Sequence, residues 1–491
     1  MYKSSKLTIY SDLDYIDGVV CYLGEICKKL DLDKKETNRI CYAVEESLSN
    51  TISHCADLKK DETIDIEIKS VPSGLKVVLN DFGAYYSFAK EMPQSIDTLV
   101  ENLSFENILS DDRDSIDRFS NYIIHKVLDR YRCINNTDGS RSIEMTVYCA
   151  KERVESGEID SLAKDEIFDS MRFANDKDAK SISALFQKKY GYAYPNEVVF
   201  YPKRLQELFK GLSLISVVGI SNRGNVIAHA ALLRPYRGSR ITEFGLLIGD
   251  KGFDNYEMIL KLSERILQVA FSSSYYGLFF HPILNVEFSQ KLCRAYSFHD
   301  VALLVGYWRQ EESNQRASTT ISFKLLRDIG ETKLCLPSKH EKMIRKLYGN
   351  LGIKIKSRFY EVNEVVNRST IVDSISSALH SAEIVVKQAG VDLVEQIFIR
   401  TKELRNANID VIYLYLDLKD KNSISRIDEL EKMGYFFVGI FPFYHHKHSI
   451  VLEYVNNIEF DYDSIKTQSL MAEELKNYIC KLDPNQKENV Q

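Results

Sequence analysis

Proline and long apolar runs are scarce in this chain, and each absence excludes a class of protein. Only 9 prolines occur in 491 residues, beside 29 tyrosines and 24 phenylalanines, which indicates folded domains without low-complexity linkers. No apolar stretch reaches the roughly eighteen residues of a membrane span, and no export signal is recognisable. The net charge of −6 and the lack of basic clusters argue against nucleic acid or an anionic membrane as partner. We therefore expect a cytoplasmic protein.

Paired cysteines and the common catalytic motifs are also missing. The 9 cysteines are scattered and form no Cys-x-x-Cys pair, which favours reduced, buried thiols over disulfides or a zinc site. No Ser-His-Asp order, phosphate-binding Walker loop or nucleophile elbow is present. The 44% hydrophobic content and the length leave room for about three packed domains.

The most informative stretch is residues 43–55, which read Ala-Val-Glu-Glu-Ser-Leu-Ser-Asn-Thr-Ile-Ser-His-Cys. Glu46, Asn50 and His54 follow at intervals of four and share one face of a predicted helix. Val44, Leu48 and Ile52 form an apolar face. An Asn amide oxygen is a suitable ligand for Mg²⁺, and a Glu can orient or deprotonate an attacking group. The helix therefore predicts metal–nucleotide chemistry.

Two predicted strands, 64–69 and 75–79, follow this helix and lead into Asn-Asp-Phe-Gly. Together with a closing strand at 142–150, these features resemble the GHKL ATPases, in particular the anti-sigma-factor serine kinases. The resemblance covers residues 1–150. It implies that Glu46 is the general base, that Asn50 is the ligand to ATP-bound Mg²⁺, and that Asp81 accepts the adenine amino group. Gly83 would let the backbone pass close to the base.

One part of that pattern is missing. The family closes its site with a lid of the form Gly-x-Gly-Leu, whose bare amides hold phosphates. The corresponding stretch here, residues 115–129, keeps an amphipathic helical pattern without the glycines. ATP binding or a nucleotide-free docking domain both remain open.

The middle of the chain has a mixed α/β order. Predicted elements are strands at 167–174, 212–221, 226–234, 241–248, 277–282 and 301–308, with helices at 176–190, 202–209, 256–271 and 287–296. This order, the central hairpin at 217–231 and the helix ending in Ala-Tyr-Ser-Phe resemble the GNAT acyl-CoA N-acyltransferases. The resemblance implies an acyl-CoA cofactor such as acetyl-CoA.

The GNAT phosphate loop has its best placement at residues 249–258. Lys251 and Gly252 are the candidate cofactor-binding residues, although acidic side chains nearby would repel a pyrophosphate. Glu243 and Tyr307 are candidates for general base and general acid, because amine acylation needs an amine deprotonated and a thiolate protonated. A structural role for both side chains remains open.

The last third repeats the pattern of the middle, with a strand, a helix and a hairpin at 409–455. We expect an α/β protein with a GHKL-like α+β sandwich domain at 1–150, a GNAT-like domain at 166–312, a degenerate second GNAT-like domain at 320–465, and a terminal helix with a frayed tail at 466–491.

The histidines suggest no metal centre. His445, His446 and His448 lie at a predicted hairpin tip without matching acidic or Cys ligands, which favours a solvated turn. We expect His229 to be buried and hydrogen-bonded, and His54 to bind a neighbouring carbonyl, rather than to act in catalysis.

Three functions from different classes follow. The main hypothesis is a partner-switching regulator that binds ATP with Mg²⁺, phosphorylates a protein serine, and carries GNAT-like sensor or scaffold domains. Its partner would be a protein such as a sigma factor or an antagonist, and a homodimer is open. The alternatives are a GNAT-type acyltransferase regulated by the first domain, and a pseudoenzyme scaffold that retains only protein-binding surfaces.

Overall fold

The computed structural model describes residues 4–486 with gaps at 31, 55–62, 72–73, 82–123, 125–126, 136–139, 149–153, 155–165, 193, 195, 237, 251–255, 310–315, 358–365, 377–378, 407–408, 457 and 459. Within these residues the chain is an α/β protein.

The strands are β1 Ser4–Tyr10, β2 Thr63–Val71, β3 Gly74–Asp81, β4 Arg130–Asn135, β5 Arg141–Tyr148, β6 Phe168–Phe173, β7 Leu214–Ser221, β8 Val226–Leu233, β9 Ile241–Gly249, β10 Gly277–Phe280, β11 His299–Arg309, β12 Arg316–Leu325, β13 Glu331–Leu334, β14 Lys354–Ser357, β15 Thr370–Ser376, β16 Ser381–Gln388, β17 Val411–Asp417, β18 Phe436–Pro442 and β19 His448–Val455. The α-helices are α1 Ile16–Lys29, α2 Lys34–His54, α3 Ala179–Tyr190, α4 Pro202–Lys210, α5 Tyr256–Ser272, α6 Glu287–Ala295, α7 Glu341–Asn350, α8 Leu393–Asn406, α9 Lys421–Ile424, α10 Ile427–Lys432 and α11 Leu470–Cys480.

The chain divides into two compact units. Unit 1 comprises Met1–Ala150, Glu364–Ile375 and Ala382–Ile412, and unit 2 comprises Lys151–Asn363, Ser376–Ser381 and Tyr413–Gln491. The domain boundaries given above, including a second GNAT-like domain at 320–465, stay predictions.

Unit 1 contains an antiparallel sheet in the order β1-β2-β3-β5-β4-β15. Helices α1 and α2 share its hydrophobic core. The predicted apolar face of α2 is confirmed, because Val44, Leu48 and Ile52 are all buried. Burial of that face leaves the opposite face of the helix for its polar residues.

Unit 2 contains a mixed sheet in the order β6-β7-β8-β9-β10-β12-β11-β18-β19. All neighbours are antiparallel except β9 and β10, which run parallel. One core packs α3 and α4 against the sheet, and a second core packs α5 and α6. Because a strand points alternate side chains to opposite faces, the residues of β8 and β9 in these two cores lie on opposite faces of the sheet.

Most predicted elements of the middle region are confirmed within two residues at each end, including α5 and β8. Strand β12 was missed. None of the described helices is long and apolar enough to cross a membrane.

Candidate functional site

Three polar side chains of unit 2 meet where strands β9 and β10 part. In the parallel pair, Glu243 of β9 lies opposite Phe279 of β10, so His281, two residues further on, projects to the same side of the sheet. The His281 Nδ1 atom lies 3.3 Å from Glu243 Oε1. The imidazole also stacks on the ring of Tyr307 from β11, with centroids 5.4 Å apart and planes 8° from parallel.

A bulge in β11 sets the position of Tyr307. The pairing with β12 shifts register between Leu304 and Trp308, and Gly306 within the shift has a φ of +60°. A Cβ atom at this glycine would lie 2.1 Å from the Phe460 ring, so both the conformation and the space require glycine. The bulge therefore presents Tyr307 to His281.

This arrangement can perform acid–base chemistry. When Nδ1–H donates to the Glu243 carboxylate, Nε2 keeps its lone pair and can accept a proton. The side chains of His281 and Glu243 are 14% and 30% exposed, so a small substrate can reach them. The sequence had suggested Glu243 as the base, but the structure makes His281 the better placed proton acceptor and Glu243 its partner.

A second tyrosine, Tyr194, lies near these groups. Burial, and then the neighbouring Tyr190, Glu243 and Tyr307, raise the pKa of the Tyr194 phenol well above its usual value. The phenol therefore stays protonated at neutral pH and can donate a hydrogen bond.

The two parallel strands separate directly after this site. Pairing between β9 and β10 covers only Ile241 to Glu243 against Gly277 to Phe279, whereas β9 continues to Gly249. On the β8 side, β9 carries a bulge, because Leu246 and its successor oppose a single residue of β8. Leu246 has a φ of +51°, a conformation that costs a non-glycine residue about 1 kcal/mol or more.

A buried histidine stabilises that bulge. His229 Nδ1 is 2.8 Å from the Leu246 carbonyl oxygen, and its Nε2 is 2.8 Å from Ser216 Oγ. Burial lowers the pKa of His229 to about 4, so the imidazole is neutral at physiological pH. The prediction that His229 is buried and hydrogen-bonded is thereby confirmed.

In unit 1, Glu46 and Asn50 lie on the half-buried side of α2. Burial, and then the Glu46 carboxylate, raise the pKa of the neighbouring Tyr42. Asp81 is buried at the end of β3, and its Oδ2 accepts hydrogen bonds from Arg141 Nε at 3.1 Å and Nη2 at 2.9 Å. This ion pair was not anticipated, and it occupies one oxygen of the carboxylate assigned to adenine.

The other predicted ligands lie outside the described residues. This applies to Gly83, Lys251 and Gly252, and to most of 115–129. Directly before the proposed phosphate loop, Asp250 is buried and its carboxylate pairs with Lys188, with Nζ 2.8 Å from the oxygens. The nucleotide and metal roles of Glu46, Asn50 and Asp81 stay predictions, as do the roles of the loop residues.

The expectation of a solvated turn at the three histidines is wrong for His448. This side chain is 4% exposed, its Nδ1 lies 3.1 Å from the Tyr348 hydroxyl, and burial lowers its pKa to about 3. His445 stacks on Tyr236 with centroids 4.6 Å apart. Aromatic packing therefore organises this turn. Across the described parts of the chain, no group of three or more His, Cys, Asp or Glu could hold a metal ion.

Comparison with known proteins yields similarity at the level of structure only. No protein-family description matches the sequence, and no curated protein matches it. The chain is similar to an N-acetyltransferase from Staphylococcus aureus Mu50, with 17% identity, a TM-score of 0.29, and coverage of 32% of this chain and 98% of that one. It is similar to a GNAT superfamily phosphinothricin acetyltransferase from Sinorhizobium meliloti solved in complex with acetyl-CoA, with 17% identity, a TM-score of 0.29, and coverage of 32% and 88%.

A ribosomal-protein-S5-alanine acetyltransferase from Vibrio fischeri is also similar, with 14% identity, a TM-score of 0.26, and coverage of 33% and 97%. About a third of the chain is thus similar to acetyltransferase structures. At these identities and scores the similarity carries no conclusion about activity. None of the comparisons supports the ATP-binding interpretation of residues 1–150.

Proposed function

We propose that unit 2 is an acyl-CoA-dependent N-acyltransferase. The observation that carries this proposal is the alignment of Glu243, His281 and Tyr307 at the point where the parallel strands β9 and β10 separate. Where the two strands separate, an extended acyl donor can lie between them with its reactive end beside these acid–base groups, which can then assist attack by an amine. The sequence resemblance to the GNAT family supplies the donor class.

The proposed chemistry uses the chain's own groups in sequence. Nε2 of His281 takes the proton from the acceptor amine as the amine nitrogen attacks the thioester carbonyl carbon. The carbon–sulfur bond breaks, and the hydroxyl of Tyr307 protonates the departing thiolate. The proton held by His281 then returns to the Tyr307 oxygen, which restores both side chains. Glu243 holds the imidazole in the reactive tautomer and stabilises its charged form. The products are the amide and free CoA thiol.

The opening between the strands suits an elongated donor. Beyond Glu243, β9 continues without pairing to β10, and backbone amides at such an edge can bind an amide-containing chain as an added strand. The bulge at Leu246, held by His229, directs the backbone at this edge.

The test is thiol release from acetyl-CoA in the presence of a panel of primary amines. We expect His281→Asn to lower kcat by about 10²- to 10⁴-fold, and Glu243→Gln by less, while acetyl-CoA binding by calorimetry is retained. His299→Asn is the matched control, because this exposed histidine begins β11 away from the site. An equal loss of kcat in His299→Asn, or full activity of His281→Asn, would contradict the role of His281 as the proton acceptor.

ATP binding by unit 1 is a second candidate. The half-buried positions of Glu46 and Asn50 on the polar side of α2 favour it, whereas the ion pair of Asp81 counts against it. Calorimetry with ATP and Mg²⁺ on the same protein tests it, with Asn50→Ala expected to abolish any heat of binding. If neither ATP nor acetyl-CoA binds, the scaffold alternative is the one that survives.

A further inference from the structure

Two tyrosines form an aromatic wall in the loop that follows α3. Tyr190 ends the helix, Gly191 reverses the chain with a φ of +58°, and Tyr194 returns to contact the first ring. The ring centroids of Tyr190 and Tyr194 are 5.2 Å apart and their planes are tilted by 46°. Phe186, which is fully buried, lies 4.8 Å from the Tyr194 ring and supports both tyrosines from below.

This wall lies on the same face of the sheet as Glu243. The next residue, Phe244, is buried in the core around α5 and α6, so Glu243 projects to the opposite face. Its partner on β8, Leu233, packs against the core that contains Phe186, and Tyr194 packs against the same core. The raised pKa of Tyr194, to which the Glu243 carboxylate contributes after burial, agrees with this placement.

The Glu243 carboxylate is partly exposed beside the His281 imidazole. Its described ion pair is with His281, and no Lys or Arg among the described residues pairs with it. Lys188, which precedes the tyrosines on α3, is held by Asp250. A partly exposed carboxylate beside tyrosine rings attracts a positive charge both by its own charge and by the negative faces of the rings.

We propose that Tyr190, Tyr194 and Glu243 form a subsite for an ammonium group, and that the acceptor is a linear aliphatic diamine. This inference rests on the proposed acyltransferase function, and it adds the class of acceptor. One amine of the acceptor loses its proton to His281, while the second, still charged, stays at the tyrosine wall.

Three acceptors of equal chain length isolate the effect of the remote charge. They are 1,5-diaminopentane, pentylamine and 5-aminopentanoate, whose remote ends are positive, neutral and negative. We expect kcat/KM to fall by about tenfold from 1,5-diaminopentane to pentylamine, and further for 5-aminopentanoate, because the subsite stabilises only a positively charged end. Calorimetry without acyl-CoA should show the same order of binding, and this readout does not need activity.

The variant Tyr190→Leu should remove most of the preference for the diamine, because the KM of the diamine should rise about tenfold relative to the KM of pentylamine. Tyr192→Leu is the matched control in the same loop. Its ring is 40% exposed, like that of Tyr190 at 37%, but its hydroxyl donates to the Val154 carbonyl oxygen and its ring contacts Phe200.

The outcomes separate the two proposals. Acylation of all three amines with equal kcat/KM overturns the subsite and leaves the acyltransferase standing. Selective binding of the diamine without acylation supports the subsite and overturns the acyltransferase. The subsite is overturned, whatever the activity, if the three amines bind equally. It is also overturned if Tyr192→Leu loses the preference for the diamine as much as Tyr190→Leu does.

Discussion

The ion pair between Asp81 and Arg141 offers the sharpest test of unit 1. The two side chains are 2% and 4% exposed, and Arg141 also donates to the Thr51 hydroxyl at 3.2 Å. Replacing Arg141 with Met keeps the length of the side chain and removes its charge. The Asp81 carboxylate then stays buried without its cation, which typically costs about 3–5 kcal/mol.

Because a typical domain is stable by only about 5–15 kcal/mol, this cost should weaken unit 1 measurably. The opening free energy can be measured from hydrogen exchange of peptides that cover β3 and β5. A loss of about 3–5 kcal/mol corresponds to exchange faster by roughly two to three and a half powers of ten. The single tryptophan of the chain, Trp308, lies in unit 2 and reports on that unit separately by fluorescence.

The double variant Asp81→Leu with Arg141→Met distinguishes pairing from packing. Removing both charges should recover a large part of the loss, because no unpaired charge then remains buried. If Arg141→Met changes exchange in β3 and β5 by less than about tenfold, the buried ion pair does not stabilise the unit as argued.

Three further predictions concern unit 2 and use urea unfolding followed by Trp308 fluorescence. The pKa of His229 is lowered from an ordinary 6.5 to about 4, so folding favours the neutral imidazole, and about 3 kcal/mol of the stability present above pH 6.5 is lost as pH falls to 4. His229→Gln should flatten this loss, and an unchanged dependence of the unfolding free energy on pH would refute the argument. Burial raises the pKa of Glu453 well above 4.5, so the protein loses stability as pH rises beyond 4.5. The unfolding free energy of Glu453→Gln should therefore improve relative to that of the wild type between pH 5 and pH 8, and a difference that is the same at both pH values would refute this. Gly439 has a φ of +147°, and a Cβ atom added there would lie 2.3 Å from a Cα atom of β11, so Gly439→Ala should cost about 2 kcal/mol or more. Gly349 on α7 faces open space, so Gly349→Ala should be neutral or slightly stabilising. Similar effects of the two substitutions on the unfolding free energy would refute the argument.

Strand β12 shows why a regular element could escape prediction. Residues Ala317 to Phe323 are buried on both faces, yet the stretch contains Ser318, Thr319, Thr320 and Ser322. Their hydroxyl groups are satisfied by neighbours, as between Thr320 and Ser322 at 3.0 Å, so the polar side chains are tolerated inside. Without alternation of apolar and polar residues, the strand carries no periodic signal.

The candidate site was predictable in part. Glu243 and Tyr307 were suggested from the needs of amine acylation, and the structure places both beside the same imidazole. His281 was missed, although its position directly after a short apolar strand was a usable signal. Its role depends on the parallel register of β9 and β10, which links residues 38 positions apart in the chain.

The local elements could be predicted from the chain, because the spacing of apolar residues along a helix or strand depends only on near neighbours. The buried face of α2, the hairpin of β7 and β8 and the helix α5 all follow from that spacing. The pairing of charges and the contacts between rings depend instead on the packing of distant segments. Asp81 finds Arg141, and Glu243 finds His281, through strand registers between distant segments, and burial then sets their chemistry. Such contacts leave no periodic trace in the chain, since each depends on how whole strands are ordered across a sheet.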